Sequence, residues 1–321
     1  PILGYTAVAG MKNRVMAAAI PTDEHRKWHP EQYNTPDLEQ TVESRLEQFP
    51  HNRILRQLAY CSLHYSCFTA QNIFYRRWEG GIPTTPRCNA RCLGCISRGH
   101  TSVSSPQERL KFTPTVEEVV EVAGYHLEAA PEAIISFGQG CEGEPALNAD
   151  LIAAAIQRVR GITDRGCINI NTNAGYTEGI KKLVDAGLDA IRVTLLSARE
   201  EDYLAYHRPT GYRFRDVERS LSYARDNGVY ASLNLLAIPG FTDSEEQVEA
   251  VIRLVHNTGV HMIQLRNLNI DPDLFFERIP LRSETLGIRR MIDIFQQEGI
   301  RVASYTHPAR RGKGLIDGTT A

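Results

Sequence analysis

The feature that most constrains this 321-residue chain is a strand-and-helix unit that recurs with the same glycine punctuation. Short runs rich in β-branched residues stand at Ala133–Phe137, Cys167–Thr172, Ala190–Leu196, Tyr230–Ala237, Met262–Asn267 and Arg301–Tyr305, with amphipathic helical patterns between them. Gly187, Gly228, Gly259 and Gly299 each follow a helical pattern and precede a strand. Glycine there supplies the left-handed residue that ends a helix without a Cβ clash. Two helix starts are marked as well. Thr113 before Pro114 reads as an N-cap with proline at the first helical position, and Asp243 with Glu246 reads as a capping box.

A strand–helix unit returning roughly every 30 to 40 residues implies a parallel sheet with helices outside it. Five or six such units fit between Ile82 and Pro308, short of the about 250 residues typical of an eight-fold barrel. The expected fold is α/β, a partial (βα)6 TIM-type barrel, with a doubly wound sheet as the alternative. In either, functional residues gather at the C-terminal ends of strands. Residues 1–77 are polar, lack the repeat and carry a helix-like stretch from Leu38 to about Tyr75 that Pro50 interrupts, so they read as an N-terminal helical extension. The barrel then occupies residues 78–308, and residues 309–321 form a C-terminal tail whose Arg310, Arg311 and Lys313 read as solvated.

Charge excludes some partner classes. With 36 basic and 38 acidic residues the net charge is -2, so no global field calls for a nucleic acid or a membrane. No apolar run approaches the roughly 18 residues of a membrane span. Met11–Ile20 is only weakly apolar and lacks a cleavage context, so no signal peptide is read. Seven cysteines make a poor disulfide framework, and Cys88, Cys92 and Cys95 crowd together on the loop after the first expected strand, Gly81–Pro86. A reducing cytoplasm and a metal or cluster site follow from that usage. Three thiolates in C-x3-C-x2-C can ligate three irons of a [4Fe–4S] cluster and leave the fourth open to a substrate or cofactor. Zinc, with His100 as a fourth ligand, is the alternative.

With these features the chain resembles the radical S-adenosylmethionine (radical SAM) superfamily over roughly residues 78–306. Gly143, Glu144 and Pro145 match the end of that family's Gly-Gly-Glu-Pro turn, with Glu142 in place of the first glycine. Asn171–Ala174 is similar to the Thr-Thr-Asn-Gly turn of the molybdenum-cofactor cyclase subgroup. The stretch Arg192–Ser197 is similar to that subgroup's Val-Ser-Leu-Asp, with Thr194 in the serine's place, and Ala237–Asp243 matches a Val-Pro-Gly-x-x-Asp ending near the adenine. The resemblance implies a [4Fe–4S] cluster on Cys88, Cys92 and Cys95. It implies SAM bound by Gly143, Glu144, Pro145, Asn171, Thr172, Asn173, Arg192, Thr194 and Ile238. It implies an electron donor such as flavodoxin or ferredoxin. The implied reaction is reductive cleavage of SAM to methionine and a 5′-deoxyadenosyl radical, which takes hydrogen from an unidentified small molecule or peptide.

Other positions keep two readings. The family's aromatic residue before the third cysteine is Gly94 here, so either another side chain fills the gap or SAM sits differently. Cys141 reads as a catalytic hydrogen-atom donor or as a small residue filling a tight turn. Cys61, His64 and Cys67 read as a second metal site or as buried thiols, and Cys167 as core. Arg266 reads as a partner for a SAM or substrate carboxylate, or for a helix glutamate. His207–Thr210 lines the site or closes a turn, and Tyr75–Trp78 shields the cluster or packs under the barrel. No cysteine follows Cys167, which argues against the cyclase's own second cluster and against the seven-cysteine tail of many peptide-modifying members. A glycyl-radical activating enzyme competes within the superfamily. A non-redox, zinc-stabilised binding barrel competes from outside it.

Overall fold

The computed structural model describes residues 8–17, 26–99, 105–268, 270–281 and 284–315. An exposed antiparallel hairpin comes first, β1 (Val8–Met11) and β2 (Arg14–Ala17), for which the sequence carried no expectation. Three helices follow: α1 (Leu38–Gln48), α2 (Arg53–His64) and α3 (Phe68–Tyr75). The expected helical stretch therefore breaks at Pro50 and again at Ser66, whose φ of 49° is left-handed.

The barrel strands are β3 (Glu79–Gly81), β4 (Ile134–Phe137), β5 (Cys167–Thr172), β6 (Ala190–Leu195), β7 (Tyr230–Ala237), β8 (Met262–Asn267) and β9 (Arg301–Ala303). Between them lie α4 (Val116–Ala129), α5 (Ala149–Ile162), α6 (Thr177–Asp185), the pair α7 (Glu200–His207) and α8 (Phe214–Asp226), α9 (Glu245–Thr258), and the pair α10 (Pro272–Arg278) and α11 (Ile288–Gln297). The seven strands are parallel and stand in chain order from β3 to β9. A doubly wound sheet reverses its order at a switch point, so that alternative is excluded and the partial barrel holds. A short hairpin, β10 (Ala309–Arg310) and β11 (Gly314–Leu315), ends the described chain. Among the described residues no helix is long and apolar enough to cross a membrane.

Several local expectations move. The first strand lies at Glu79–Gly81, ahead of Gly81–Pro86. Pro83 and Pro86 have no N–H to give the ladder. Thr115, not Thr113, caps α4: its hydroxyl accepts from Glu118 N–H and the Glu118 carboxylate accepts from Thr115 N–H. At α9 the N-cap is Ser244, while Asp243 closes the preceding turn by accepting from Gly240 N–H at 2.7 Å. The four helix-ending glycines do adopt positive φ, from 67° at Gly259 to 109° at Gly187.

Strand alternation gives the barrel two faces. Ile135, Phe137, Ile168, Ile170, Ile191, Val193, Leu233 and Leu235 face the helices and form the main core. The other face lines the lumen, and there the side chains are polar: Glu79, Ser136, Asn169, Arg192, Ser232 and Gln264, all buried. Beneath them Ile134, Cys167, Ala190, Tyr230 and Met262 form an apolar floor with Ala309 of the C-terminal hairpin. Of the three tail cations, Lys313 is exposed as expected, but Arg310 and Arg311 are tied to the barrel. Arg311 donates to the carbonyls of Asn227 at 2.9 Å and Val184 at 2.7 Å, and Arg310 donates to Gly166 O. These cations meet carbonyls at and beyond helix C-termini, where the helix dipole favours positive charge. Trp78 likewise packs under the barrel, where its carbonyl accepts from Ile134 N–H.

Candidate functional site

The cysteine loop leaves β3 and is held by the end of α7. Arg91 N–H donates to His207 O and Leu93 N–H to Tyr206 O, both at 3.0 Å. Thr210 N–H donates to Asn89 O at 2.8 Å, and Asn173 Nδ2 donates to the Asn89 side chain at 2.7 Å. The His207–Thr210 loop thus lines the site. Each thiol meets an N–H. Ala90 N–H bonds Cys88, His207 Nδ1 lies 3.4 Å from Cys92 Sγ, and Arg109 Nη2 donates to Cys95 Sγ at 3.4 Å. Burial, then repulsion from the other two cysteines, pushes Cys92 well up; burial and nearby Glu144 push Cys88 up. Burial and mutual repulsion oppose the thiolate at Cys88 and Cys92, and a bound cation would compensate that charge. The donor set and its N–H shell therefore fit an iron–sulfur cluster. His100, the fourth ligand of the zinc reading, lies outside the described residues.

The turn after β4 carries two carboxylates with separate tasks. Glu142 is 3% exposed and clasps two strand ends. One oxygen accepts from Thr84 N–H, Thr84 Oγ and Thr85 N–H, and the other from Gly138 and Gln139 N–H. Burial lifts Glu142 to about 7 against the pull of those donors. Gly143 is required by close approach, since a Cβ there would sit 1.9 Å from Arg87 O. Glu144 accepts from Thr172 Oγ and Ala146 N–H on one oxygen and from Asn173 N–H on the other. A carboxylate offers about four lone-pair sites, so about one remains. Burial raises Glu144 as well. Pro145 opens the short helical turn that Glu144 caps. Asn171 reaches back to Phe137 O at 3.2 Å. Thr194 lies two residues beyond Arg192 on the lumen face and is half-buried.

A model of the radical SAM superfamily matches residues 82–255, more than half of the chain. The chain belongs to the radical SAM superfamily. The GTP 3′,8-cyclase of Heliobacterium modesticaldum is 24% identical over 249 residues, 76% of this chain and 68% of that one. The probable GTP 3′,8-cyclase of Methanococcus aeolicus is 30% identical over 151 residues, 46% of each chain. The core is therefore cyclase-like, although the second match spans less than half of either protein. The crystal structure of Streptococcus suis SuiB bound to precursor peptide SuiA shares the fold, with a TM-score of 0.50 over 84% of this chain and 61% of that one at 13% identity. As a radical SAM enzyme the chain uses a [4Fe–4S] cluster and SAM.

The remaining expected residues fall in different places. Arg192 lies on the lumen face, its Nη1 2.6 Å from Glu79 Oε1 in a buried ion pair. Among the described residues Arg192 Nη2 has no hydrogen-bond partner, and neither does Asn169 Oδ1. Cys141 is buried in the main core. Its thiol lies beside that of Cys61 of α2; that neighbour, then burial, pushes Cys141 up, and the pairing draws Cys61 down. Those surroundings are those of a packing residue. Cys61, His64 and Cys67 diverge: His64 packs against the Tyr60 ring and Cys67 meets Thr69 Oγ at 3.4 Å. Among the described residues no three His, Cys, Asp or Glu side chains converge around a single-ion position. Arg266 donates to Asn234 Oδ1, Gln264 Oε1 and Ser304 O.

Ile238 belongs to an apolar roof over the cysteine loop, with Tyr206, Phe241, Leu268 and Phe275. That roof answers the Gly94 question. A Cβ at Gly94 would lie 2.8 Å from Tyr206 Oη and 2.9 Å from Leu268 Cδ1, so side chains from α7 and the β8 end fill the space. Sequence reading missed Tyr206, Arg109 and Glu79 altogether, and left His207 as a loop residue. No local pattern announces Arg109. For His207 the only signal was its place just after a candidate helix.

Proposed function

We propose that this radical SAM enzyme cleaves SAM reductively and that the resulting 5′-deoxyadenosyl radical takes a hydrogen atom from an unidentified substrate. The observation that carries the reading is the meeting of three separate motifs. The cysteine loop, the Glu144 turn and the Asn173 end of β5 are tied by Asn173 to Asn89 and by Glu144 to Thr172 and Asn173. In this reading Cys88, Cys92 and Cys95 hold the cluster, which when bound and reduced supplies one electron to SAM. Glu144 offers its remaining lone pair to the methionyl ammonium, with Gly143 and Pro145 shaping the turn. Thr172 Oγ and Asn173 N–H fix the plane of that carboxylate. Asn171 and Thr194 face SAM as polar contacts, and Ile238 contributes an apolar one. The roof of Tyr206, Phe241 and Leu268 keeps water off a reactive intermediate. The polar lumen around Ser136, Asn169 and Gln264 is the substrate side. An external one-electron donor, flavodoxin or ferredoxin in kind, completes the cycle.

The test is anaerobic reconstitution with iron and sulfide, then SAM and dithionite, with chromatography for 5′-deoxyadenosine. Wild type should release the nucleoside and methionine, and Cys88→Ala should release neither. A cluster-loaded wild type that binds SAM and stays inert toward every strong reductant would contradict the proposal.

A further inference from the structure

His207 stands between the cysteine loop and the sheet. Its Nδ1 lies 3.4 Å from Cys92 Sγ, and its Nε2 lies 3.3 Å from the backbone nitrogen of Leu196 at the end of β6. A backbone amide can only donate, so Nε2 carries the lone pair. The proton of the neutral ring then sits on Nδ1, and the N–H points at sulfur. The ring has little freedom to turn. Tyr203 stacks on it with centroids 4.3 Å apart and planes at 25°, and Tyr206 meets it edge-on at 4.9 Å and 81°. The side chain is buried, and the carbonyl of the same residue holds Arg91 N–H in the cysteine loop. A strand end, a helix end and the cysteine loop therefore converge on one imidazole whose tautomer is fixed from behind.

We infer that His207 is a positioning residue that tunes the cluster, holding Nδ1–H as a donor to the Cys92 sulfur so that the reduced, more negative state is favoured. The inference rests on the proposal that Cys92 is a cluster ligand. Reduction adds negative charge that spreads onto the ligating sulfurs. An N–H···S bond strengthens as that charge grows, so it raises the reduction potential, and hydrogen bonds to the sulfurs are one of the levers a protein has on that potential. The arrangement also suits a thiolate better than a thiol, since a thiolate only accepts.

Two amide replacements separate the ring's two bonds. In His207→Gln the amide end reaches the Nε2 position, keeping an acceptor for Leu196 N–H and losing the donor to sulfur. In His207→Asn the amide end lies at the Nδ1 position, keeping the donor to sulfur and losing the acceptor. The measurement is a redox titration of the reconstituted holoenzyme without SAM, followed by electron paramagnetic resonance, with iron content recorded for each protein. His207→Gln should cut the reduced-to-oxidised ratio at fixed potential about tenfold, equal to about 59 mV for one electron. His207→Asn should stay near wild type. Equal potentials in wild type and His207→Gln, or the same shift in both variants, would reduce His207 to packing. The unmutated protein provides a check that no folding defect can blur: ¹⁵N-histidine should give the reduced cluster a nitrogen coupling, and its absence overturns the inference. A wild type that assembles no cluster sinks the ligand assignment and this inference together, whereas an assembled cluster with unshifted variants sinks only this inference.

Discussion

Replacing Arg192 by methionine separates a structural from a cofactor role for this residue. Its guanidinium and the Glu79 carboxylate are 5% and 4% exposed and 2.6 Å apart. Removing one partner of such a pair leaves a buried charge uncompensated and costs about 3–5 kcal/mol, whereas replacing both partners with neutral groups is often close to neutral. For a chain of this size that loss is about 6–10 °C in thermal midpoint, at roughly 2 °C per kcal/mol. The pH dependence has a definite sign. In wild type, burial pushes Glu79 up, but Arg192 and the Ser136 and Thr306 hydroxyls together bring it below the ordinary value. Its contribution is thus present above the ordinary carboxylate range and lost only as pH falls through a still lower value. Without Arg192, burial is opposed only by the hydroxyls and the carboxyl rises. In the variant the Glu79 contribution is greatest at low pH and falls as pH climbs from the ordinary carboxylate value to the raised one, so its deficit should be smaller at pH 5 than at pH 8. The assay is thermal unfolding of Arg192→Met, Glu79→Gln and the double variant at both pH values, with SAM affinity measured alongside. The double variant should recover most of the loss, and affinity should hold. Unchanged stability together with lost SAM affinity would refute the ion-pair account and return Arg192 to the cofactor site.

Gly143→Ala should cost at least about 3 kcal/mol and reduce iron retention after desalting, because its Cβ falls 1.9 Å from Arg87 O in a closely packed turn; full iron retention would show that the turn can yield. Glu144→Gln should strand a buried donor at about 1–3 kcal/mol, keep its iron, and weaken SAM binding at least tenfold by equilibrium dialysis; unchanged affinity would remove Glu144 from the ammonium site. Cys141→Ala should lose about 1 kcal/mol from a small cavity and release 5′-deoxyadenosine and final product as wild type does, whereas loss of product alone would restore hydrogen return to Cys141.

The repeat was legible because the middle strands are buried on both faces and read as continuous β-branched runs. The bounds of β5, β7 and β8 coincide with the sequence reading to the residue. At β3 the reading slipped because apolar Ile82 drew the strand toward prolines that cannot join a ladder. Arg310 and Arg311, misread as solvated, show the limit of charge runs: they look like surface residues until the carbonyls they reach, 84 to 144 positions earlier, are in view. The cysteine and Glu144 motifs were readable as local strings. Their second layer was not, since His207 lies 115 positions from Cys92 and nothing in either segment announces the other. Arg192 shows the same limit. Its strand position was right, but the partner that occupies it, Glu79, lies 113 positions away.

The most direct test of the account is the metal and sulfide content of the anaerobically reconstituted protein, wild type beside Cys88→Ala, Cys92→Ala and Cys95→Ala. The account predicts about four irons and four sulfides per wild-type chain, as one cube requires, and a severe loss of both in each variant. A wild type that holds a single zinc and no sulfide, or variants that keep the full complement of iron, would contradict it.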